Sequence, residues 1–193
     1  ENIYKYMDDV VQSIPPGSDH LICTPWMLGE RCPVSTTTTR ATLFNMTMVH
    51  TREHLMRSVY EGIGYNLRWI LENYQADYGF ACDNFRIIGG GALDNGWMQI
   101  IADITGKSFS IVKDPRNAGA VGAAVVALIG LGELSGFGHA KEFVQIDKVY
   151  QPDRNNKAVY DQLFLTYKEV YKSLEQAYKF ANGERFRHEE NGQ

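Results

Sequence analysis

The short apolar run Phe85-Arg86-Ile87-Ile88 leads straight into Gly89-Gly90-Gly91-Ala92, and Asn95 to Thr105 then carries Trp97, Ile100, Ile101 and Ile104 at helical spacing. A strand that turns through three glycines into a helix restricts the chain more than any other feature. The bare turn lets a ligand touch main chain, because no side chain stands in the way. The helix start, with Asp94 or Asn95 as its N-cap, aims unpaired N–H groups and a partial positive charge at the same place. Such a turn lies beyond the C-terminal end of a strand, where open α/β sheets bind ligands. Gly106 stops the helix, Ser108 to Val112 reads as a second strand, and Asn117 to Leu131 as a helix of small residues suited to tight packing between layers. Residues 86 to 136 therefore alternate strand, helix, strand, helix, the signature of an α/β fold.

The flanking segments build one domain around this unit. Asn2 to Gln12 reads as a short helix with Tyr4, Met7, Val10 and Val11 near one face, ended by Pro15-Pro16-Gly17. Leu21 to Leu28 is a strand interrupted at Pro25, and Gly29 to Arg40, with four threonines in a row, is a loop. Arg52 to Tyr74 is the clearest helix, capped by Thr51, with His54 where a capping box prefers Glu. Gly62 and Gly64 inside it each cost about 1 kcal/mol against alanine, which points to close packing on another backbone. Gly132 to Asp147 reads as loop with one turn. Asp153 to Phe180 is a long helix with a stripe of Val159, Leu163, Leu165, Val170, Leu174 and Ala177, and Gly183 to Gln193 is polar. The organisation expected is a domain over 1–150, a terminal helix over 151–182 packed on it, and a polar tail over 183–193. The tyrosines of the terminal helix (160, 167, 171 and 178) suit a core edge or the surface of a homodimer.

Several function classes drop out. A net charge of -4 gives no basic footprint for nonspecific nucleic-acid binding. The longest apolar run, Ala123 to Ile129, cannot span a bilayer, and no basic-then-apolar leader opens the sequence. Cys23, Cys32 and Cys82 are odd in number and widely spaced, which fits reduced thiols in a cytoplasmic protein better than disulfides or zinc. His50 and His54 have metal-ligand spacing on a helix, but no third ligand stands close by, so no metal is expected there. The sequence opens on Glu1 rather than Met, and a piece of a longer protein is expected. Two nucleotide motifs fail. Gly-x-Gly-x-x-Gly needs glycine where Asp94 stands, and Gly91 to Gly96 has P-loop spacing but is followed by Trp97-Met98 instead of Lys-Ser/Thr. A Rossmann-like transferase or dehydrogenase is thereby disfavoured.

Four segments together resemble the FGGY carbohydrate kinases. Arg86-Ile-Ile-Gly-Gly-Gly-Ala-Leu-Asp-Asn-Gly-Trp-Met-Gln-Ile-Ile-Ala-Asp103 is similar to the family's adenosine segment. Ala41-Thr-Leu43-Phe-Asn45-Met46, seven residues and then His54-Leu55-Met-Arg-Ser58-Val-Tyr60-Glu61 follow the signature of its second domain, with Asn45 in place of glycine. Asn is the next-best residue for a left-handed backbone, so the turn can survive. Gly29-Glu30-Arg31-Cys32-Pro33 resembles a Gly-Glu-Arg-Ser-Pro segment, and Asn117-Ala-Gly119-Ala-Val-Gly122-Ala-Ala124 the small-residue helix after the adenosine loop. Order and spacing agree from about Thr24 to Gly132, and the pentulose (xylulose) kinase branch is the most similar.

The resemblance implies an actin-like ATPase (RNase H-like) domain, the C-terminal half of a two-domain sugar kinase. It implies that Gly90, Gly91 and Ala92 form the floor under adenine and ribose, that Asn95 reaches the nucleotide, and that ATP and Mg2+ are the cofactors. The catalytic aspartate and phosphate loops of the family lie outside this stretch, as do most contacts to the sugar, D-xylulose or a related pentulose. The chain alone is then expected to be inactive, and Glu30 and Arg31 face the cleft where closure of the two domains could use them. Trp97 and Gln99 read as packing and helix-surface residues, Asp103 as structural, and His139 and His188 as surface residues. The reading from another class is a non-catalytic assembly domain that keeps the actin-like fold.

Overall fold

The computed structural model describes residues 3–190, with side chains over 5–183. Tyr4, His188 and the polar end 191–193 lie outside the described side chains. Helix α1 covers Ile3–Gln12, β1 Ile22–Thr24, β2 Thr42–Phe44, α2 Arg52–Tyr78, β3 Asn84–Ile87, α3 Asn95–Thr105, β4 Ser108–Val112, α4 Ala118–Gly130, β5 Ile146–Tyr150 and α5 Lys157–Glu190. Strands β1 and β2 pair antiparallel. Strand β3 runs parallel to β4, and β5 pairs antiparallel on the other side of β4, with a bulge at Ile111/Val112. The parallel pair with α3 as its crossover is the α/β unit that periodicity predicts.

Helix α3 organises two cores because its apolar residues occupy more than one face. Ile100 and Ile104 join Val11, Ile22, Trp26, Tyr65, Tyr160, Leu163, Phe164 and Tyr167, while Met98, Ile101 and Ala102 pack with Ala92, Phe109 and Ile111 against the sheet. The aromatic face of α5 is central to the first core. Tyr160 and Tyr167 are fully buried, and Trp26 meets the Tyr167 ring at 5.3 Å. Tyr160 and Tyr167 are therefore neither core edge nor dimer surface, whereas Tyr171 packs half-buried at the edge of that core. Of the expected apolar stripe, Leu165 is 64% exposed, because Phe164 and Tyr167 take the inward positions.

Other differences follow from tertiary context. Strand β1 is only three residues long, and Leu28 beyond Pro25 is exposed. Strand β5 replaces the end of the expected loop and is preceded by a 3-10 segment, Phe137–Phe143. Helix α4 does not pack tightly between layers. Val125 is its only buried residue, and Val126 is 56% exposed. Asn45 does hold a left-handed backbone, φ 67°, and its Nδ2 donates to the His20 carbonyl at 3.1 Å. Gly62 lies where a Cβ would collide with the Cys23 carbonyl oxygen of β1, whereas Gly64 faces the Ile104 side chain. Close approach to another backbone thus holds for Gly62 alone.

Burial in β1 pushes the Cys23 thiol up to about 11, while Cys32 is exposed in the loop before α2. Only the thiolate reacts, so alkylation at pH 8 is expected to be at least about a hundredfold slower at Cys23 than at Cys32. Peptide-mapped labelling measures both rates at once, and equal rates would contradict the burial of β1.

Candidate functional site

The chain leaves β3 at Ile87 and turns at Gly89, whose φ of 98° suits glycine and whose N–H donates to the Pro115 carbonyl at 2.8 Å. One 3-10 turn, Gly90–Leu93, then delivers Asp94 to the start of α3, where Oδ1 accepts the Trp97 N–H at 2.9 Å. Asp94, rather than Asn95, is the N-cap. A cleft of about 840 Å³ opens here, lined by Gly90, Gly91, Asn95, Tyr60, Lys5 and Arg116, among others. Gly90 and Gly91 are exposed, and their N–H groups have no acceptor among the described residues.

The two glycines differ in what stands behind them. A Cβ at Gly91 would come within 2.6 Å of the Trp97 ring, whereas a Cβ at Gly90 would meet open space. Ala92 parts from its neighbours. Its side chain is buried in the second core, because the 3-10 turn rotates it towards Met98 and Phe109. The structure thus brings Gly90, Gly91 and Asn95 to one cleft and turns Ala92 inward.

The helix end is not an open anion site. The Gly96 N–H donates to Asp8 Oδ1 at 2.7 Å, and Asp94 takes Trp97, so two of the chain's own carboxylates fill the place expected for a ligand's charge. Gly96 allows this approach, since a Cβ there would collide with Asp8. Tyr60 donates to Asp94 Oδ2 at 2.9 Å; burial, and then that hydrogen bond, hold its phenol above the ordinary value. Asn95 Oδ1 accepts from Tyr150 at 2.6 Å and from Lys148 at 2.8 Å. Positive charge on the cleft comes from Lys5 and Arg116.

The remaining expected residues have structural partners. Gln99 donates to Asp103 and to the Gln151 carbonyl, and Asp103 also accepts from Asp153 and Asn156, tying α3 to the segment before α5. Trp97 packs against Tyr60, with ring centroids 5.4 Å apart. Glu30 accepts the backbone N–H of Arg31 and the amide of Asn66, away from this cleft. His54 plays the part of the capping-box Glu, its Nδ1 accepting the Thr51 N–H at 3.2 Å, and its Nε2 meets Asp19 at 3.0 Å. Among the described residues no group of three His, Cys, Asp or Glu could hold a metal. His139 is partly exposed and bonds Ser135 and Glu142. Sequence reasoning missed Asp8, Tyr60, Lys148 and Tyr150. The β-branched and aromatic residues Ile146, Val149 and Tyr150 were the one local signal for the last two.

Residues 5–131 match the FGGY family of carbohydrate kinases, C-terminal domain. Among curated proteins, the xylulose kinase of Bacillus subtilis (strain 168) is 33% identical over 163 residues, which cover 83% of this chain and 32% of that protein. Among solved structures, a ligand-bound xylulose kinase from Lactobacillus acidophilus superposes with a TM-score of 0.79 at 28% identity, covering 89% of this chain and 35% of that one. A xylulose kinase from Rhodospirillum rubrum gives 0.77 at 30% identity, covering 90% and 34%. The chain spans about a third of the length of the relatives it matches. Among the described residues no helix is long and apolar enough to cross a membrane.

Proposed function

The chain belongs to the FGGY family of carbohydrate kinases, as a C-terminal domain with the actin-like fold, and from that premise we propose that it is the adenine-nucleotide-binding part of a kinase. That enzyme transfers the γ-phosphoryl of MgATP to a sugar hydroxyl, with D-xylulose or a related pentulose as acceptor. The xylulose kinases among the relatives support the choice of sugar. The observation that carries the nucleotide reading is the bare main chain of Gly90 and Gly91 beside an open cleft of about 840 Å³. A flat purine can approach backbone only where side chains are missing.

The residues present suit a nucleoside better than a phosphate tail. Asp8 and Asp94 already cap the helix start, so negative phosphates gain nothing from it and would run towards Lys5 and Arg116. Magnesium in this reading is carried by the phosphates and by groups of the longer protein, since Mg2+ keeps to few carboxylates plus phosphate oxygens. The enzyme contributes positioning and charge stabilisation to phosphoryl transfer. The carboxylate that accepts the sugar proton belongs, on this proposal, to the longer protein, which works in the cytoplasm. The chain alone should then show no sugar-dependent ATP turnover.

Thermal denaturation with ADP tests the reading, because a ligand that binds the folded form raises its stability by about 2.7 kcal/mol at a hundred times Kd. ADP should raise the melting temperature of the chain. Gly90→Val should abolish that rise and leave the ligand-free melting temperature within about 2 °C, since the added side chain meets open space. Gly91 is a poorer probe, because a side chain there strikes Trp97 as well as the cleft. No ADP effect on the unaltered chain would defeat the proposal and favour an assembly domain.

A further inference from the structure

We propose that Tyr150 and Lys148 are positioning residues that lock the side-chain amide of Asn95, so that its nitrogen alone is offered to the cleft and selects a ligand by an acceptor atom of its nucleoside. This rests on the nucleotide reading of the cleft. Asn95 is the first residue of α3 and lies beside Gly91 on the cleft wall. Lys148 Nζ stands 2.8 Å from its side chain. An ammonium has donors and no lone pair, so the amide atom it touches must be the oxygen. The Tyr150 hydroxyl reaches the same oxygen at 2.6 Å. Its phenol is held above the ordinary value by burial, and then by the carboxylates of Asp8, Asp147 and Asp94, so it stays a donor. A flipped amide would set its own N–H groups against both partners and lose both hydrogen bonds.

The consequence is directional. With Oδ1 engaged twice, Nδ2 is the polar atom that Asn95 has left, and it has no acceptor among the described residues. The backbone N–H of Asn95 is also without one. The nearby carboxylates do not take this amide nitrogen: Asp94 accepts from Trp97 and Tyr60, and Asp8 accepts from Gly96 and Gln12 through Oδ1. Asn95 therefore presents donors only to the cleft. A ring nitrogen of the base or an oxygen of the ribose can satisfy it, and a donor group cannot. The two positioning residues sit at alternate places on β5, and so on one side of the strand.

A mutant cycle on ADP affinity, measured by calorimetry on this chain, tests the proposal. Asn95→Ala should weaken binding about threefold to tenfold, the worth of one hydrogen bond, and the pair Tyr150→Phe with Lys148→Met should weaken it by a similar factor. Combining all three changes should cost no more than Asn95→Ala alone, because the pair acts only through the amide. Additive losses, or full affinity in the pair, would overturn the proposal. If the paired variant fails to fold, Lys148→Met alone carries the same comparison at an exposed side chain. Acceptor loss on the ligand gives the second arm. 7-Deaza-ADP, 3-deaza-ADP and 2′-deoxy-ADP identify the atom read, since the analogue lacking that atom should be insensitive to Asn95→Ala. Sensitivity retained with all three would overturn a contact to N7, N3 or the 2′ oxygen. If the unaltered chain does not bind ADP, the nucleotide reading itself falls. If it binds and the losses add, only the positioning role does.

Discussion

Glu61→Ala is expected to lower the melting temperature of the chain by roughly 6–20 °C, the equivalent of about 3–5 kcal/mol for stranding a buried charge in a domain of this size. Glu61 is 1% exposed, and its carboxylate accepts four hydrogen bonds. Arg57 Nε donates at 2.8 Å, the Gly17 N–H at 2.8 Å, the Ser18 hydroxyl at 2.7 Å and the Tyr160 hydroxyl at 3.0 Å. Arg57 also donates to the Val11 carbonyl and to Tyr160. One carboxylate thus joins α2, α5 and the loop before β1, and Arg57 extends the network to α1. That loop holds positive φ at Gly17, Ser18, Asp19 and His20, a conformation that side-chained residues rarely keep without outside support. Truncation removes that support and leaves the guanidinium buried without its partner. Glu61→Gln, which keeps an acceptor for the loop, should lose less. A melting temperature for Glu61→Ala within 2 °C of the unaltered chain would show that the network does not hold these elements together.

Gly62→Ala should destabilise the chain by about 1–3 kcal/mol even though alanine is the better helix former, because overpacking outweighs propensity. The added methyl would meet the Cys23 carbonyl, and β1 cannot retreat, since Ile22 is buried in the first core and all three of its residues pair with β2. Gly122→Ala in α4 is the control. Nothing stands within 4 Å of a Cβ there and its backbone is helical, so the same change should stabilise by about 0.4–1 kcal/mol. Denaturant unfolding of both variants reads the two signs side by side. Stabilisation at Gly62 would mean that α2 does not lie against β1.

Much of this could be read from residue order alone. The limits of α3 and β4, the αL stop at Gly106 and the left-handed turn at Asn45 all follow from local steric preferences and short-range periodicity. The tight turn after β3 follows in the same way, since glycine admits the positive φ that Gly89 takes and that side-chained residues resist. The family could be identified for the same reason, as its motifs are runs of backbone requirements at short spacing. Glu61 was visible only as the last position of such a motif. A carboxylate on a helix usually faces water, and nothing nearby in sequence says that Gly17, Ser18 and Tyr160 surround it.

What the sequence determined by itself is the kind and succession of the elements and the bareness of the turn at Gly90 and Gly91. Which polar groups meet around that turn depends on contacts made far along the chain. Asp8 reaches the start of α3 from the first helix, Lys148 and Tyr150 hold Asn95 from the last strand, and Ala92 turns into the core. The physical reason is range. Backbone conformation is governed by neighbours a few residues away, whereas a buried or half-buried polar atom must find its partner wherever the fold brings one, here across 88, 53 and 55 residues.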